Sequence, residues 1–254
     1  MKIFVTGGTG FIGSHFLNLA IGEGYDVCAL RRSPESTPRI ALAVRPNWLE
    51  KPMDAVEVTD LKGFDVLVHL AAHSANVPYD NLENCLYWNV NVPVQLVRKA
   101  HQAGVRRFIV AGSCFEYGLA GKRYTEIPPD AALQPTQSYP ASKAAASVAL
   151  IQLAREFKLE LSLLRIFHVF GEGEAANRLW PSLRQAAQSG KDFAMTAGEQ
   201  VRDFIPVECV AQQFLDTISN SVIPGQPEVR NVGTGTPQTL LEFSRYWWRR
   251  WGAT

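Results

Sequence analysis

The chain opens with Met1-Lys-Ile-Phe-Val-Thr-Gly-Gly-Thr-Gly-Phe-Ile-Gly13, and this stretch decides the fold. Ile3, Phe4 and Val5 form a short apolar run that is typical of a buried parallel strand. Three glycines follow at fixed spacing, and a helical pattern at 14–20 comes directly after them. Such glycines permit a tight turn, a close approach of the backbone to a pyrophosphate and tight packing of helix on strand. The helix N-terminus offers unpaired N–H groups to the anion, so the stretch predicts a dinucleotide site.

The length and composition favour one α/β domain with a small appendage. A chain of 254 residues, 46% of them hydrophobic, can bury a substantial core. Its 25 basic and 24 acidic residues leave a formal net charge of +1, which gives no reason to expect nucleic acid or a membrane as a partner. The sequence shows no signal peptide, and its four cysteines lack metal or disulfide spacing. We therefore expect a cytoplasmic protein without a bound metal.

Apolar strand-like runs alternate with helical segments over most of the chain. This alternation predicts a Rossmann-type, doubly wound parallel sheet with helices on both faces. After the first strand, we predict strands at 27–30, 55–58, 66–70, 108–111 and 161–166. Helices are predicted at 92–103 and 141–157, and the proline-rich segment 34–52 is expected to be an irregular connection.

The regular alternation of strand-like and helical segments ends after Ile166, which indicates a second, smaller lobe. We assign residues 1–166 to a dinucleotide-binding Rossmann domain to which 204–218 return, and residues 167–203 and 219–254 to a substrate-binding lobe. The last predicted helix, 240–251, is rich in tryptophans that we expect to pack against neighbouring elements. Because the chain ends soon after this helix, we expect either a small lobe or a shortened chain.

Tyr139 and Lys143 are the first candidates for chemistry. They lie four residues, one helical turn, apart at the start of a predicted helix. A nearby ammonium lowers the pKa of a tyrosine, so Tyr139 could exchange a proton with an alcohol or carbonyl oxygen near neutral pH. Ser113 follows the strand predicted at 108–111, at the edge where open α/β sheets bind ligands. The alternatives are a solvated helix start for the pair and a turn residue for Ser113.

Eight ordered motifs make the chain resemble the extended short-chain dehydrogenase/reductases. They are Thr6-Gly-Gly-Thr-Gly-Phe-Ile-Gly13, Asp60-Leu61, His69-Leu-Ala-Ala72, Asn89-Val90, Gly112-Ser-Cys-Phe-Glu-Tyr-Gly118, Tyr139-x-x-x-Lys143, Leu164-Arg-Ile-Phe167 and Arg202-Asp-Phe-Ile-Pro-Val207. More narrowly, the chain is similar to the NAD-dependent epimerase/dehydratase family that acts on nucleotide-linked sugars. The resemblance spans nearly the whole chain.

The resemblance implies roles for individual residues. Ser113, Tyr139 and Lys143 would form a catalytic triad, in which Tyr139 is the acid/base, Ser113 holds the substrate oxygen and Lys143 binds the nicotinamide ribose. The implied cofactor contacts are Gly7, Gly10, Phe11, Ile12, Gly13, Asp60, Leu61, Leu70, Ala71, Ala72, Asn89, Tyr139 and Lys143, with Asp60 and Leu61 at the adenine. Arg202 would clamp the substrate pyrophosphate. His168, where the family more often has asparagine, would either bind substrate or pack beside the site.

One departure from the family narrows the chemistry. Sugar 4,6-dehydratases of this family carry an Asp-Glu pair directly after the hydroxyl residue, where this chain has Cys114 and Phe115. Glu116 lies one position later and is expected to point elsewhere. A dehydratase is therefore disfavoured.

The end of the second predicted strand indicates the cofactor. NAD-preferring sites place a carboxylate there to bind the adenosine 2′-hydroxyl, whereas this chain has Arg31 and Arg32. Two guanidiniums suit a 2′-phosphate, so we predict NADP(H). NAD(H) remains the alternative, with both arginines solvated on a surface loop.

The cofactor prediction favours net reduction of a keto group on a nucleotide-diphospho-deoxysugar. The alternatives are a nucleotide-sugar epimerase with the same triad, an aryl or flavonoid ketone reductase, and a non-catalytic NADP-binding sensor. The Tyr139/Lys143 pair argues against the sensor, and the motif at Arg202 argues against the ketone reductase. Relatives of this kind commonly dimerise through two helices, here 92–103 and 141–157, so we expect a homodimer.

Overall fold

A parallel sheet with helices on both faces forms the centre of the molecule, and the computed structural model describes residues 1–253. The strands are β1 (Lys2–Thr6), β2 (Asp26–Arg31), β3 (Asn47–Glu50), β4 (Val66–His69), β5 (Arg107–Ser113), β6 (Glu160–Ile166), β7 (His168–Phe170), β8 (Val201–Arg202), β9 (Phe204–Pro206), β10 (Glu228–Val232) and β11 (Gln238–Thr239). The α-helices are α1 (Phe11–Gly22), α2 (Leu82–Leu86), α3 (Val92–Gln102), α4 (Ser138–Phe157), α5 (Leu179–Ser189), α6 (Val207–Ser219) and α7 (Leu240–Arg250).

Seven of these strands form the central sheet in the order β10-β6-β5-β4-β1-β2-β3, and every neighbouring pair is parallel. One face packs against α1 and α6, with Phe16, Leu17 and Phe214 wholly buried there. The other face packs against α3 and α4 through Leu96 and Leu150. The predicted doubly wound, Rossmann-type fold is therefore confirmed. The strand order reverses beside β1, and open sheets of this kind bind ligands at such a point.

The strand predicted at 55–58 is wrong. The chain there forms two short 3-10 helices, Met53–Ala55 and Val58–Leu61, and the strand that follows β2 is β3. The 55–58 segment buries Val56 but leaves Glu57 exposed, and Glu57 N–H donates to Asp60 Oδ2 at 2.8 Å, which stabilises a turn. The segment 34–52, predicted to be irregular, therefore contains an edge strand, which needs one neighbour only.

The other predicted strands and helices of the first 166 residues lie within a few residues of their observed positions. The strand β5 continues through Ser113, and α4 begins at Ser138, so that Tyr139 lies in its first turn. These two boundaries matter most for the site. No helix within residues 1–253 is long and apolar enough to cross a membrane.

The residues after Ile166 form small strand pairs and an aromatic cluster between α5 and α7. The strand β7 pairs with β9, and β8 pairs with β11. The ring centroids of Trp180 and Trp251 lie 5.6 Å apart, and those of Phe170 and Trp247 lie 5.5 Å apart. The packing predicted for the tryptophans of the last helix is confirmed for Trp247 and Trp251. The range 219–254, assigned to the lobe, also supplies β10 to the central sheet, and the division into domain and lobe stays a prediction.

Candidate active site

A cleft of about 860 Å³ opens along the carboxyl ends of β1, β2, β4, β5 and β6. Most of the residues predicted for the site lie on its wall. They are Gly7, Gly10, Phe11, Ile12, Gly13, Arg31, Arg32, Leu70, Ala71, Ala72, Ser113, Tyr139, Lys143 and His168. The fold thus brings the glycine-rich turn and the Tyr/Lys pair, more than a hundred residues apart in sequence, into one cleft.

The glycine-rich turn packs so closely against the protein's own backbone that side chains do not fit at two of its positions. Gly7 has a φ of 75°, and a Cβ on it would lie 2.5 Å from Ala71 N. A Cβ on Gly13 would lie 2.0 Å from Gly7 O, so a larger residue at either position would displace backbone. Gly10 is the N-cap of α1, and no side chain caps the helix there. The first-turn N–H groups are therefore available to an anion, and this cradle fits a dinucleotide.

Ser113, Tyr139 and Lys143 lie together on the opposite part of the wall, and each is more than 90% buried. Ser113 ends β5, and its Oγ accepts a hydrogen bond from Phe115 N–H at 3.2 Å. Lys143 Nζ donates to Ala111 O at 2.7 Å, which ties α4 to β5 beside Ser113. The three predicted catalytic side chains are therefore held close together by the packing of α4 on the strand end.

The expected lowering of the Tyr139 pKa by Lys143 is wrong for this structure. Burial raises the pKa of Tyr139 well above its usual range, and the hydrogen bond with Ser113 only partly offsets that rise. The Lys143 ammonium instead bonds the carbonyl of Ala111, and burial lowers the pKa of Lys143. The phenol of Tyr139 is therefore protonated at neutral pH and suited to donate a proton.

Glu116 supports the site from behind, a role that the sequence analysis missed. Its side chain is fully buried, and Oε1 accepts from Ser113 N–H at 2.8 Å. Its Oε2 accepts from Ser147 Oγ at 2.7 Å and from Arg165 Nε at 2.8 Å. Glu116 thus points away from the cleft, as expected, and fixes the backbone of Ser113. The sequence pattern that could have indicated this role is Ser113-x-x-Glu116, the spacing of a helix capping box.

Three residues that the resemblance assigned to the cofactor do not line the cleft within residues 1–253: Asp60, Leu61 and Asn89. Leu61 is fully buried in the core, because it packs beneath the sheet. Asp60 accepts from Lys51 Nζ at 2.7 Å, and Lys51 does line the cleft. Asn89 donates to Ser142 Oγ at 2.9 Å, so it braces α4 from outside the wall.

The other end of the cleft carries His168, with two charged residues that the sequence analysis missed. Burial, together with the charges of Arg202 and Arg178, lowers the pKa of His168 to about 4, so this imidazole is neutral at pH 7. Arg178 lines the cleft, and its Nε lies 3.4 Å from Oε1 of Glu174. Burial raises the pKa of Glu174 to about 7, and its Oε2 has no hydrogen-bond partner.

Arg202, predicted to clamp a pyrophosphate, does not lie on the cleft wall within the described residues. Its Nη1 donates to Val201 O at 2.7 Å, which turns the guanidinium along β8. The residue remains close enough for its charge to lower the pKa values of His168 and Cys114. Arg178 occupies the wall instead, and no periodic pattern in the loop before α5 could have identified it.

The charge of the cleft suits a polyanionic ligand. The cationic side chains on its wall are Arg31, Arg32, Arg39, Lys51, Lys143 and Arg178. Glu174 is the one carboxylate on the wall in the part of the chain that the structure describes. A cleft with this excess of positive charge attracts phosphates.

Comparison with known proteins agrees with this geometry. A sequence model of the NAD dependent epimerase/dehydratase family matches residues 3–233. The chain is 27% identical to CDP-abequose synthase of Salmonella muenchen, over 95% of this chain and 78% of that protein. It is 28% identical to UDP-glucose 4-epimerase of Corynebacterium glutamicum, over 92% of this chain and 76% of that protein. The solved structure of MoeE5 in complex with UDP-glucose and NAD superposes with a TM-score of 0.81 at 28% identity, covering 95% of this chain and 79% of MoeE5.

Proposed function

Because the chain belongs to the NAD-dependent epimerase/dehydratase family, we propose that it is an oxidoreductase that reduces a keto group on a nucleotide-diphospho-deoxysugar with NADPH. The observation that carries this proposal is the meeting of Ser113, Tyr139 and Lys143 with the glycine-rich turn in one cationic cleft. The similarity to CDP-abequose synthase and to a structure that holds UDP-glucose and NAD supports a nucleotide sugar as substrate.

In this proposal, Tyr139 donates its phenolic proton to the keto oxygen, and the Ser113 hydroxyl donates a hydrogen bond to the same oxygen. The bound nicotinamide supplies the hydride. Lys143 binds the nicotinamide ribose and supports the phenolate that remains after proton transfer. Burial keeps Tyr139 protonated before the reaction, which is the state that a reduction requires.

We assign the substrate diphosphate to Arg178, while Arg202 lies near enough for its charge to act on the same His168. Arg178 lies on the wall beside His168, and its charge acts on both His168 and Tyr79. The ring of Tyr79 lies 5.4 Å from that of Tyr139. A diphosphate on Arg178 would therefore place an attached sugar near Tyr139 and Ser113. A neutral His168 can hydrogen-bond a sugar hydroxyl in this position.

Two observations bear on the other reactions of the family. A dehydratase remains disfavoured, because burial raises the pKa of the Cys114 thiol to about 12 and Phe115 carries no ionisable group. An epimerase is the second candidate, because the chain is 28% identical to a UDP-glucose 4-epimerase over most of both chains. The non-catalytic sensor is the alternative of another class.

The first experiment is a thermal-shift screen of UDP-, CDP-, dTDP- and GDP-linked sugars with NADPH present, since a ligand that binds the folded state raises Tm. Keto sugars made from the hits are then mixed with the enzyme and NADPH, and the hits themselves are mixed with the enzyme and the oxidised cofactor. A reductase consumes one NADPH for each keto sugar that it reduces. An epimerase converts its sugar substrate without net consumption of cofactor, and a sensor converts no sugar at all. Turnover without NADPH consumption would replace the first proposal with the second.

We also propose a homodimer formed through α3 and α4. The two helices pack against each other along one face of the sheet, and α4 leaves Val148 60% exposed. A second copy placed there would bury this valine. A monomeric mass by light scattering at micromolar concentration would contradict the homodimer.

A further inference from the structure

Four cationic side chains from the β2–β3 region line the cleft: Arg31 ends β2, Arg32 and Arg39 lie in the connection to β3, and Lys51 follows β3. In Rossmann folds, the adenosine 2′ position lies at the end of the second strand. A 2′-phosphate on NADPH would therefore meet this group. Each of the four can bind the phosphate only if its own charge is not already paired with a carboxylate.

Two of the four already have carboxylate partners. Arg31 donates from Nε to Glu50 Oε1 at 3.1 Å and from Nη2 to the same oxygen, and its guanidinium lies 4.9 Å from the centre of the Trp48 ring. Lys51 Nζ lies 2.7 Å from Asp60 Oδ2. A phosphate that approached Arg31 would also approach the negative charge of Glu50, which opposes binding.

The other two are free. Arg32 and Arg39 are exposed, and neither side chain forms a hydrogen bond or ion pair with any residue in 1–253. Ser36 lies on the wall in the same loop. Its hydroxyl can donate a hydrogen bond to a phosphate oxygen.

The loop that carries Arg39 is anchored on both sides. Asn18 of α1 donates to Ala41 O at 3.0 Å and accepts from Ala43 N–H at 2.9 Å. On the other side, the loop packs on Gly173, where an added Cβ would lie 3.2 Å from Arg39 Cβ. The backbone of Arg39 is therefore fixed beside the cleft while its guanidinium stays free. Such an arrangement reduces the entropy lost when the guanidinium binds a ligand.

We propose that Arg39, together with Arg32, binds the 2′-phosphate of NADPH, and that Arg31 is held out of this role by Glu50. Arg39 is then a cofactor-specificity residue that lies outside the strand-end motif. The inference rests on the NADPH preference proposed above. It reassigns the charge that recognises the phosphate from Arg31, the last residue of β2, to an arginine eight residues later.

The test measures the dissociation constants of NADPH and NADH by fluorescence titration, without any substrate. The variants are Arg39→Ala, Arg32→Ala and Arg31→Ala. Arg45→Ala is the matched control, because Arg45 is an exposed arginine of the same loop that does not line the cleft. Adenosine 2′,5′-bisphosphate and AMP serve as second probes that differ only by the 2′-phosphate.

Loss of a charge-assisted contact predicts that Arg39→Ala weakens NADPH binding about tenfold, and NADH binding less than about twofold. Arg32→Ala follows the same pattern, and Arg45→Ala changes neither constant. The bisphosphate should lose affinity in parallel with NADPH, while AMP does not.

Two outcomes separate the inference from the proposal on which it rests. If the unaltered protein binds NADH as tightly as NADPH, the NADPH preference is wrong and the phosphate site falls with it. If the unaltered protein prefers NADPH, but Arg31→Ala removes the preference and Arg39→Ala keeps it, the cofactor choice stands and this inference is overturned. Equal weakening of both cofactors by Arg39→Ala would also overturn it.

Discussion

The two ends of the cleft recognise their ligands by different physical means. At the glycine-rich turn, Gly7 and Gly13 present backbone to the cleft, because their neighbours leave no room for side chains there. At the substrate end, the wall includes the ionisable side chains of Tyr139, His168 and Glu174, whose pKa values are all shifted by burial. Binding at the glycine-rich turn itself therefore depends on close backbone packing and not on the protonation of a side chain. Binding at the substrate end depends on which protons its side chains hold.

The largest effect is expected from removal of one hydroxyl at the ionisable end. Tyr139→Phe keeps the ring in its buried position but removes the proposed proton donor, so kcat should fall by roughly 10² to 10⁴. Cofactor affinity and Tm should change little. Tyr246→Phe is the control, since Tyr246 is 61% exposed on α7. Retention of more than about a tenth of the turnover by Tyr139→Phe would contradict the mechanism.

At the glycine end, one added methyl group should disrupt binding without altering any charge. Gly13→Ala places a Cβ 2.0 Å from Gly7 O, so the turn must move. We expect the dissociation constant for NADPH to rise about a hundredfold, which corresponds to about 3 kcal/mol. The loss should be the same at pH 6 and pH 8.

Gly22→Ala is the matched control for this variant. Gly22 is the last residue of the same helix, α1, and a Cβ on it meets no atom within 4 Å. Alanine there should leave NADPH binding unchanged and stabilise the protein slightly, by about 0.5 kcal/mol in urea unfolding. An equal loss of cofactor affinity in both variants would show that general helix stability, and not the close approach at Gly13, explains the effect.

The smallest expected effect, at Glu174, concerns the pH dependence of stability. The pKa of Glu174 rises from 4.5 to about 7 on folding, because its carboxyl is buried. Between these values the folded protein holds a proton that the unfolded chain releases, so this group makes the protein less stable as pH rises from about 4.5 to 7. Glu174→Gln removes this loss. The free energy of unfolding of Glu174→Gln, relative to that of the unaltered protein, should therefore increase from pH 5 to pH 8 by on the order of 2 kcal/mol.

Urea unfolding at several pH values tests this prediction. The control is Glu172→Gln, because Glu172 is exposed and its carboxylate lies 3.0 Å from Arg184 Nη1. The control should show no such increase. Parallel pH profiles for Glu174→Gln and the unaltered protein would mean that Glu174 titrates in the ordinary range. Burial would then not control the charge of this side chain at the substrate end of the cleft.

Sequence reasoning was successful where a pattern is local and failed where a contact is distant. The apolar runs of β1, β4, β5 and β6 are buried on both sides and so predicted their strands. The edge strand β3 has only half-buried side chains at Trp48 and Leu49, so no apolar run marks it. The segment at 55–58 looked like a strand because valine occurs twice, but its hydrogen bonds close a turn.

The same distinction holds within the site. The spacing of Tyr139 and Lys143 and the glycines of the first turn are visible in the sequence because each belongs to one element. Arg178, Glu174 and Arg39 lie in loops without periodicity, and nothing in their local sequence shows that they reach the cleft. The predicted contacts of Asp60 and Leu61 came from resemblance alone, and the structure places both away from the wall.

The sequence by itself therefore determined the architecture, the glycine-rich turn and the placement of Tyr139 and Lys143 one turn apart on a helix, because strand burial, glycine conformation and helical spacing are set by neighbours along the chain. Only the tertiary structure decided the direction in which the pKa of Tyr139 shifts, since burial raises it against the expected effect of Lys143. It also decided which arginines are free, because the parallel register of β2 and β3 places Glu50 opposite Arg31. Burial and charge pairing depend on residues far away in sequence, and the fold alone brings those residues together.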